Sequence, residues 1–450
     1  MLDTYQTTRL AELDIDHMLH PVTNLARHRE VGPLIIARGA GSTVWDTDGK
    51  PYIDGFAGLW NVNVGHGRHV LAEAAKEQME RLAFQPTFFG LSTPPAIELA
   101  AKVASMYPGP INHFQFTSGG AESNETAIKI ARYHWALQGK PDKVTIISRA
   151  MAYHGIATGA LAATGIPGYW QDFGPRAPGF LHISAPYAYR NNPGLSEDAF
   201  VAKLVEELEQ TIAREGAETI AGFIGEPVQG AGGVVPPPQG YWRAVAEVLQ
   251  RHDILLIADE VITGFGRTGT MFGVEQYDVQ PDIVSMAKGI TSGYIPLGAV
   301  GVSDAIYEVL AAPDRMFMHG FTYSGHPVAC AVGLRNIAII EDENLAGNAA
   351  ARGDQLLAGL RQLSDHPHVG DVRGKGLMAI VEVVKDKGAK QAYTAADGVG
   401  LKLQEVTRRS GLIVRCSDVG IAMSPPLIIT AQEVDTMVNA VGEAIREVLG

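Results

Sequence analysis

The feature that most narrows the fold is an alternation between residues 95 and 300. KVTIIS (143–148), IAGFIGEPV (220–228), ILLIADEV (254–261) and DIVSMAKG (282–289) read as short buried strands. AESNETAIKIARYHWALQ (121–138), SEDAFVAKLVEELEQTIAREG (196–216) and GYWRAVAEVLQRHD (240–253) read as amphipathic helices. Strand and helix taking turns imply an α/β body with a mostly parallel sheet covered by helices. At 450 residues the chain exceeds what one core usually holds, so a large α/β body or two domains are expected.

The flanks have a different texture. Residues 1–36 read as a helical lead-in with a turn at His20-Pro21. GSTVWDTDGKPYIDG (41–55) reads as a hairpin turning at Asp48-Gly49, and HVLAEAAKEQMERL (69–82) as a helix. PPPQG (236–240) is a proline turn before a helix. Beyond residue 330, helical stretches lead to short strands at LMAIVEVV and LIVR and a last helix, EVDTMVNAVGEAIREVL. This is a smaller α+β domain, which the N-terminal segment joins because chain termini often lie close together. The expected division is 1–60 and 331–450 for the small domain and 61–330 for the large one.

Composition excludes several classes of function. A net charge of −13 argues against a nucleic-acid binder, and 46% hydrophobic with 19% charged residues is globular. Cys330 and Cys416 are far apart and form neither a disulfide framework nor a metal motif. The first residues carry acids and no apolar core, and no apolar run nears bilayer length. A cytoplasmic protein with no membrane contact and no metal is expected.

Three features carry chemistry. In FTSGGAESNETAIK (116–129), small residues separate an apolar strand from a helix. Gly119, Gly120 and Ala121 there offer backbone N–H groups to a phosphate. An ordinary turn capped by Ser118 fits the same residues. Asp259 ends an apolar strand, where ligands bind in doubly wound sheets; an acid capping a turn also fits. Lys288 is the one charge in SMAKGITSGYIPLGAV (285–300). Kept from water, its amine is a nucleophile; reaching out of a loop, it is an ordinary surface lysine. GFGRTG (264–269) spells a dinucleotide fingerprint but opens no helix, so it reads as a structured loop. Together, a phosphate cradle, a strand-end carboxylate and a buried amine suit pyridoxal phosphate.

With SGGAESNETAIK, MAYHG, GEPVQGAGG, LIADEVITGFGRTG, SMAKGITSGYIPLGAV and GFTYSGHPVACA, the chain resembles class III, fold-type I pyridoxal-phosphate aminotransferases over nearly its whole length. GLWNVNVGHG and LIVRCSD resemble the ω-amino acid or amine:pyruvate branch. The resemblance implies a seven-stranded, mostly parallel sheet plus a small α+β domain built from both termini. It makes Lys288 the Schiff-base lysine, Asp259 the partner of the pyridine nitrogen, and Tyr153 and Val261 the residues on the two ring faces. Glu226 is placed near the cofactor, either chemically or as a structural hydrogen-bond partner. Thr322 would reach the phosphate of a neighbouring subunit, which implies a homodimer with shared sites, alone or within a tetramer. Ala121 departs from the hydroxyl residue many relatives carry in the phosphate loop. Pyruvate is the implied acceptor, with Arg415 as its carboxylate clamp; a solvated arginine fits the bare residues as well. Trp60, Phe88, Phe89 and Tyr153 are candidates for an apolar pocket. The donor stays open among ω-amino acids, taurine, diamines and simple amines. Aminomutase or decarboxylase chemistry, and a colourless nucleotide-binding module, are the competing readings.

Overall fold

In the computed structural model, which describes residues 6–450, the central alternation forms one seven-stranded sheet. Its strands are β1 (Ile111–Thr117), β2 (Thr145–Arg149), β3 (Phe180–Ile183), β4 (Ile220–Gly225), β5 (Leu255–Asp259), β6 (Ile283–Met286) and β7 (Gly298–Ser303). They lie in the order β1-β7-β6-β5-β4-β2-β3. All neighbours pair in parallel except β7, which runs antiparallel to both β1 and β6. Every residue of β4 to β7 is buried. Helices cover both faces of such a sheet, so its strands read as unbroken apolar runs.

The helix Gly120–Leu137 packs on β6 and β7. Its buried residues Ser123, Ala127, Ile130, Ala131 and His134 recur at three- and four-residue steps, which puts them on one face. The helix Glu197–Glu215 starts where the Ser196 hydroxyl accepts from the Ala199 N–H. It stops at Gly216, whose φ of 85° suits glycine.

Because β1, β5 and β6 point the same way, their carboxyl ends share one edge of the sheet. The loop after Thr117, the side chain of Asp259 and the turn holding Lys288 all emerge there. That edge is where open α/β sheets bind ligands.

The flanks close on each other. Thr43–Asp46 and Pro51–Asp54 form the expected hairpin around Gly49, and Ile53 and Asp54 pair in parallel with Leu412 and Ile413. The stretch LIVR does not form one strand. Leu412–Ile413 joins the N-terminal sheet, while Arg415–Ser417 pairs with Gly420–Met423 in a separate sheet that also holds Val369–Gly374 and Ala379–Asp386. The buried Val414 sits at this switch. The lead-in is two helices, Thr7–His17 and Leu25–Val31; its residues 1–5 lie outside the described residues. GFGRTG is a structured loop, with Gly266 and Gly269 at φ of 95° and 93°. Its Arg267 is fully buried, donating to the Leu377 and Pro425 carbonyls and to Asn63 Oδ1. Among the described residues, no helix is long and apolar enough to cross a membrane.

Candidate active site

A cavity of about 500 Å³ opens at the shared strand edge. Gly120, Ala121, Tyr153, Glu226, Asp259, Val261, Lys288, Trp60 and Arg415 all line it. Residues separated by as many as 355 positions in the chain thus meet at one site.

Asp259 is 2% exposed and each of its oxygens is hydrogen-bonded. Oδ1 accepts from the Val261 N–H at 3.0 Å. Oδ2 accepts from Asn124 Nδ2 at 2.8 Å and faces His154 Nδ1 at 2.7 Å. A carboxylate only accepts, so His154 carries its proton on Nδ1. Its Nε2 is buried and has no partner. Asn124 is fixed in turn, since Nδ2 also donates to the His154 carbonyl and Oδ1 accepts from the Ser285 hydroxyl.

Lys288 follows β6 in a short 3-10 turn, with φ of 45°. A left-handed lysine is uncommon, and the strain is held by buried neighbours, Ala287, Gly289 and Ile290. By surface area Lys288 is half-buried, and it faces the cavity. Burial pushes its amine down to about 8, against the opposing pull of Asp259 and Glu226. Its neutral, nucleophilic form is therefore accessible near neutral pH.

The helix starting at Gly120 has no side-chain cap. Ser118, expected to cap it, instead gives its backbone N–H to Glu122 Oε2. The first N–H groups of this helix are left for a ligand. Gly120 also sits hard against Val261, since a Cβ there would meet Val261 Cγ1 at 2.7 Å. These features fit pyridoxal phosphate: an uncapped helix start for a phosphate, a buried acid for a ring nitrogen and a desolvated amine for an aldehyde.

Glu226 has a bracing position. Oε1 accepts from the Tyr153 N–H at 3.1 Å and Oε2 from the Gly230 N–H at 2.8 Å. Burial raises its pKa, as does Asp259, while His154, the Gly230 N–H and Arg149 pull the other way. Arg415 is half-buried and donates to the Ala231 carbonyl at 3.1 Å.

Other candidates lie elsewhere. Gly119 precedes the helix without lining the cavity. Phe88 is half-buried near Gly320, Phe89 is 92% exposed and Thr322 is exposed. The cavity gains walls that the sequence reading missed: Pro21, Val22, Phe56, Leu59, Asn124, His154, Ile156, Tyr169 and Ile262. His154 stands beside Tyr153 in MAYHG, and Asn124 is one helical turn past Gly120, so adjacency was the available signal.

The Aminotransferase class-III family profile matches residues 25–445. A putrescine–pyruvate aminotransferase of Pseudomonas aeruginosa is 42% identical over 96% of this chain and 95% of its own. A crystal structure of a thermostable (S)-enantioselective omega-transaminase from Thermomicrobium roseum is 63% identical, with a TM-score of 0.99 and all of both chains covered. The omega-transaminase of Pseudomonas jessenii in complex with PMP is 44% identical, with a TM-score of 0.95 over 98% of each chain. With the profile spanning most of its length, the chain belongs to the class III aminotransferases, enzymes that depend on pyridoxal phosphate.

Proposed function

We propose that this enzyme moves an amino group from an amine or ω-amino acid to pyruvate, giving alanine. The observation that carries the reading is the meeting of Lys288 and Asp259, from adjacent strand ends, beside an uncapped helix start in one cavity. Its relatives' names, a putrescine–pyruvate aminotransferase and omega-transaminases, support the reaction class. A panel of amino donors with pyruvate, read as alanine formed, tests it; no alanine from any amine or ω-amino acid sinks it.

In this reading the backbone of Gly119, Gly120 and Ala121 holds the cofactor phosphate. Tyr153 and Val261 flank the ring, and Asp259 faces its nitrogen. When bound, pyridoxal phosphate supplies an electron sink for charge developing at the substrate Cα. Lys288 would hold the cofactor through its amine and, when that amine is free, would accept and return a proton at Nζ on the substrate side of the cavity. His154 and Asn124 hold the Asp259 carboxylate in place. Glu226 braces the Tyr153 loop. Phe56, Leu59, Trp60, Ile156 and Ile262 give the substrate side an apolar wall suited to an uncharged amine substituent.

Two further assignments belong to the proposal. Residues 1–60 and 331–450 make the small domain, supported by the pairing of Ile53 with Leu412. A second copy completes the site through Thr322, supported by the exposed Phe89, Met316, Met318 and Tyr323 near it in sequence or space.

Gly120→Ala is expected to weaken cofactor binding about tenfold. The new methyl drives Val261 toward the ring space, and overpacking of this kind costs about 1–3 kcal/mol. Titration of apoenzyme with pyridoxal phosphate measures it, and an unchanged Kd would mean Val261 yields without touching the cofactor.

Arg415→Ala is expected to slow the pyruvate half-reaction on the order of 100-fold, the loss of hydrogen bonds to a charged group at about 1.5–3 kcal/mol each. Attack by a carboxylate-free amine should change far less, because a long side chain can withdraw rather than stand desolvated and unpaired. Single-turnover absorbance separates the two halves. Equal losses in both assign the carboxylate to another group.

A further inference from the structure

Away from the cavity floor, Asp14, His20 and His28 bring three ligand-bearing side chains together. They come from consecutive pieces of chain: Asp14 from the helix Thr7–His17, His20 from the link after it, and His28 from the helix Leu25–Val31. His20 Nε2 lies 2.9 Å from both carboxylate oxygens of Asp14, and His28 Nε2 lies 2.7 Å from Oδ1. The two imidazole rings are 4.2 Å apart between centroids, tilted by 45°. All three donor atoms fall within 4.8 Å of one another. The side chains are 12–25% exposed, enough for an ion to enter and too little for the rings to wander.

We propose that Asp14, His20 and His28 bind a transition-metal dication of the zinc class, and that the ion fastens the link between the two helices, which carries Pro21 and Val22 of the cavity wall, to the helices on either side of it. Two imidazole nitrogens and one carboxylate oxygen suit zinc, copper or nickel; calcium and magnesium prefer all-oxygen shells. Tetrahedral ligands at zinc lie about 3.3 Å apart, given metal–ligand bonds of about 2.0–2.1 Å. The present contacts are 2.7 to 2.9 Å, so each ring backs away by roughly half an ångström. Each imidazole then holds a proton on Nδ1 and gives the Nε2 lone pair to the ion, so the ion takes the place of the Nε2 proton that faces Asp14. Water takes the fourth position, as it does where a protein supplies three ligands.

The consequence reaches the active site. Pro21 and Val22 lie between the ligands in sequence and line the cavity. Val22 holds a φ of 50°, a region that β-branched residues seldom occupy. Its side chain is 81% exposed, so packing does little to hold this conformation. A metal bonded on both sides of the link at Asp14 and His28, and within it at His20, restrains it directly.

The test is zinc binding to the holoenzyme without a histidine tag, after chelator treatment, by titration calorimetry. One zinc ion per chain is expected. His28→Gln and Asp14→Asn should each weaken binding by at least the about 10–100-fold that even outer partners of metal ligands contribute. The sites are near the surface, and unchanged thermal unfolding without zinc checks the variants' fold. Hydrogen exchange read on the same samples should show residues 18–24 protected by zinc in the parent and not in His28→Gln. No zinc bound at micromolar concentration, or binding unaltered in both variants, overturns the site. Zinc bound without added protection of 18–24 overturns the fastening.

Discussion

Lys288→Ala yields a folded protein whose transamination is slower by at least about a thousandfold, since nucleophile and proton carrier are lost together and a positioned acid–base group alone contributes about 10²–10⁴-fold. Alanine keeps the Cβ, so the left-handed backbone at this position is no more strained than before. Burial of an amine pushed down to about 8 is itself unfavourable, and its removal does not threaten the fold. Linkage gives a second readout in the apoenzyme. The folded pKa of about 8 lies below the ordinary 10.5, so the unfolded chain binds more protons between those values. Wild-type stability therefore rises with pH across that window, and the variant lacks this rise. Near-wild-type turnover in a folded Lys288→Ala protein would falsify the assignment of Lys288 as the reactive amine.

The same burial explains what could be read from the sequence. β4, β5 and β6 are continuous apolar runs because helices cover both faces of the sheet, and their ends announced Asp259 and Lys288. β7 was not recognised: GAVGVS has two glycines and carries no strand signal of its own, and its antiparallel place between β1 and β6 is a tertiary fact. LIVR read as one strand because its four residues fit the pattern, whereas the chain changes sheets at Val414. The second layer of the site was silent for a different reason. Asn124 and His154 hold Asp259, which lies 135 and 105 residues away, and no local spacing reports such a partnership. Asp14, His20 and His28 were passed over likewise: steps of six and eight residues match no familiar ligand motif, and only the turn between two short helices brings them together. The aromatic candidates divided according to backbone position. Trp60 turns into the cavity with φ of 64°, while Phe88 and Phe89 fall outside the single chain's cavity.

Asp259→Asn is expected to cost more than a lost charge. In the parent, three N–H donors converge on two acceptor oxygens: Val261 on Oδ1, Asn124 and His154 on Oδ2. An asparagine offers one acceptor and one donor in their place. With its oxygen toward Val261, its NH2 faces both Asn124 Nδ2 and the His154 N–H. Flipped, the NH2 faces the Val261 N–H. Either orientation sets donor against donor in a buried site, leaving groups unsatisfied at about 1–3 kcal/mol each. His154 can relieve the first clash only by moving its proton to Nε2, which then points to a position with no protein partner. In the proposed function this carboxylate also faces the cofactor's ring nitrogen, and breaking a buried ion pair from one side costs about 3–5 kcal/mol. At 1.36 kcal/mol per tenfold, the two half-reactions should both slow by about 100-fold or more. Both need the protonated ring, so the loss is shared between them, unlike the one-sided loss expected for Arg415→Ala. Cofactor binding should weaken without disappearing, because the phosphate and Lys288 contacts remain. Stopped-flow absorbance of each half-reaction, with the cofactor Kd measured alongside, distinguishes these effects. If the asparagine variant keeps parent rates in both halves, the ring nitrogen takes its proton from another group, and the His154–Asp259–Asn124 cluster is structural.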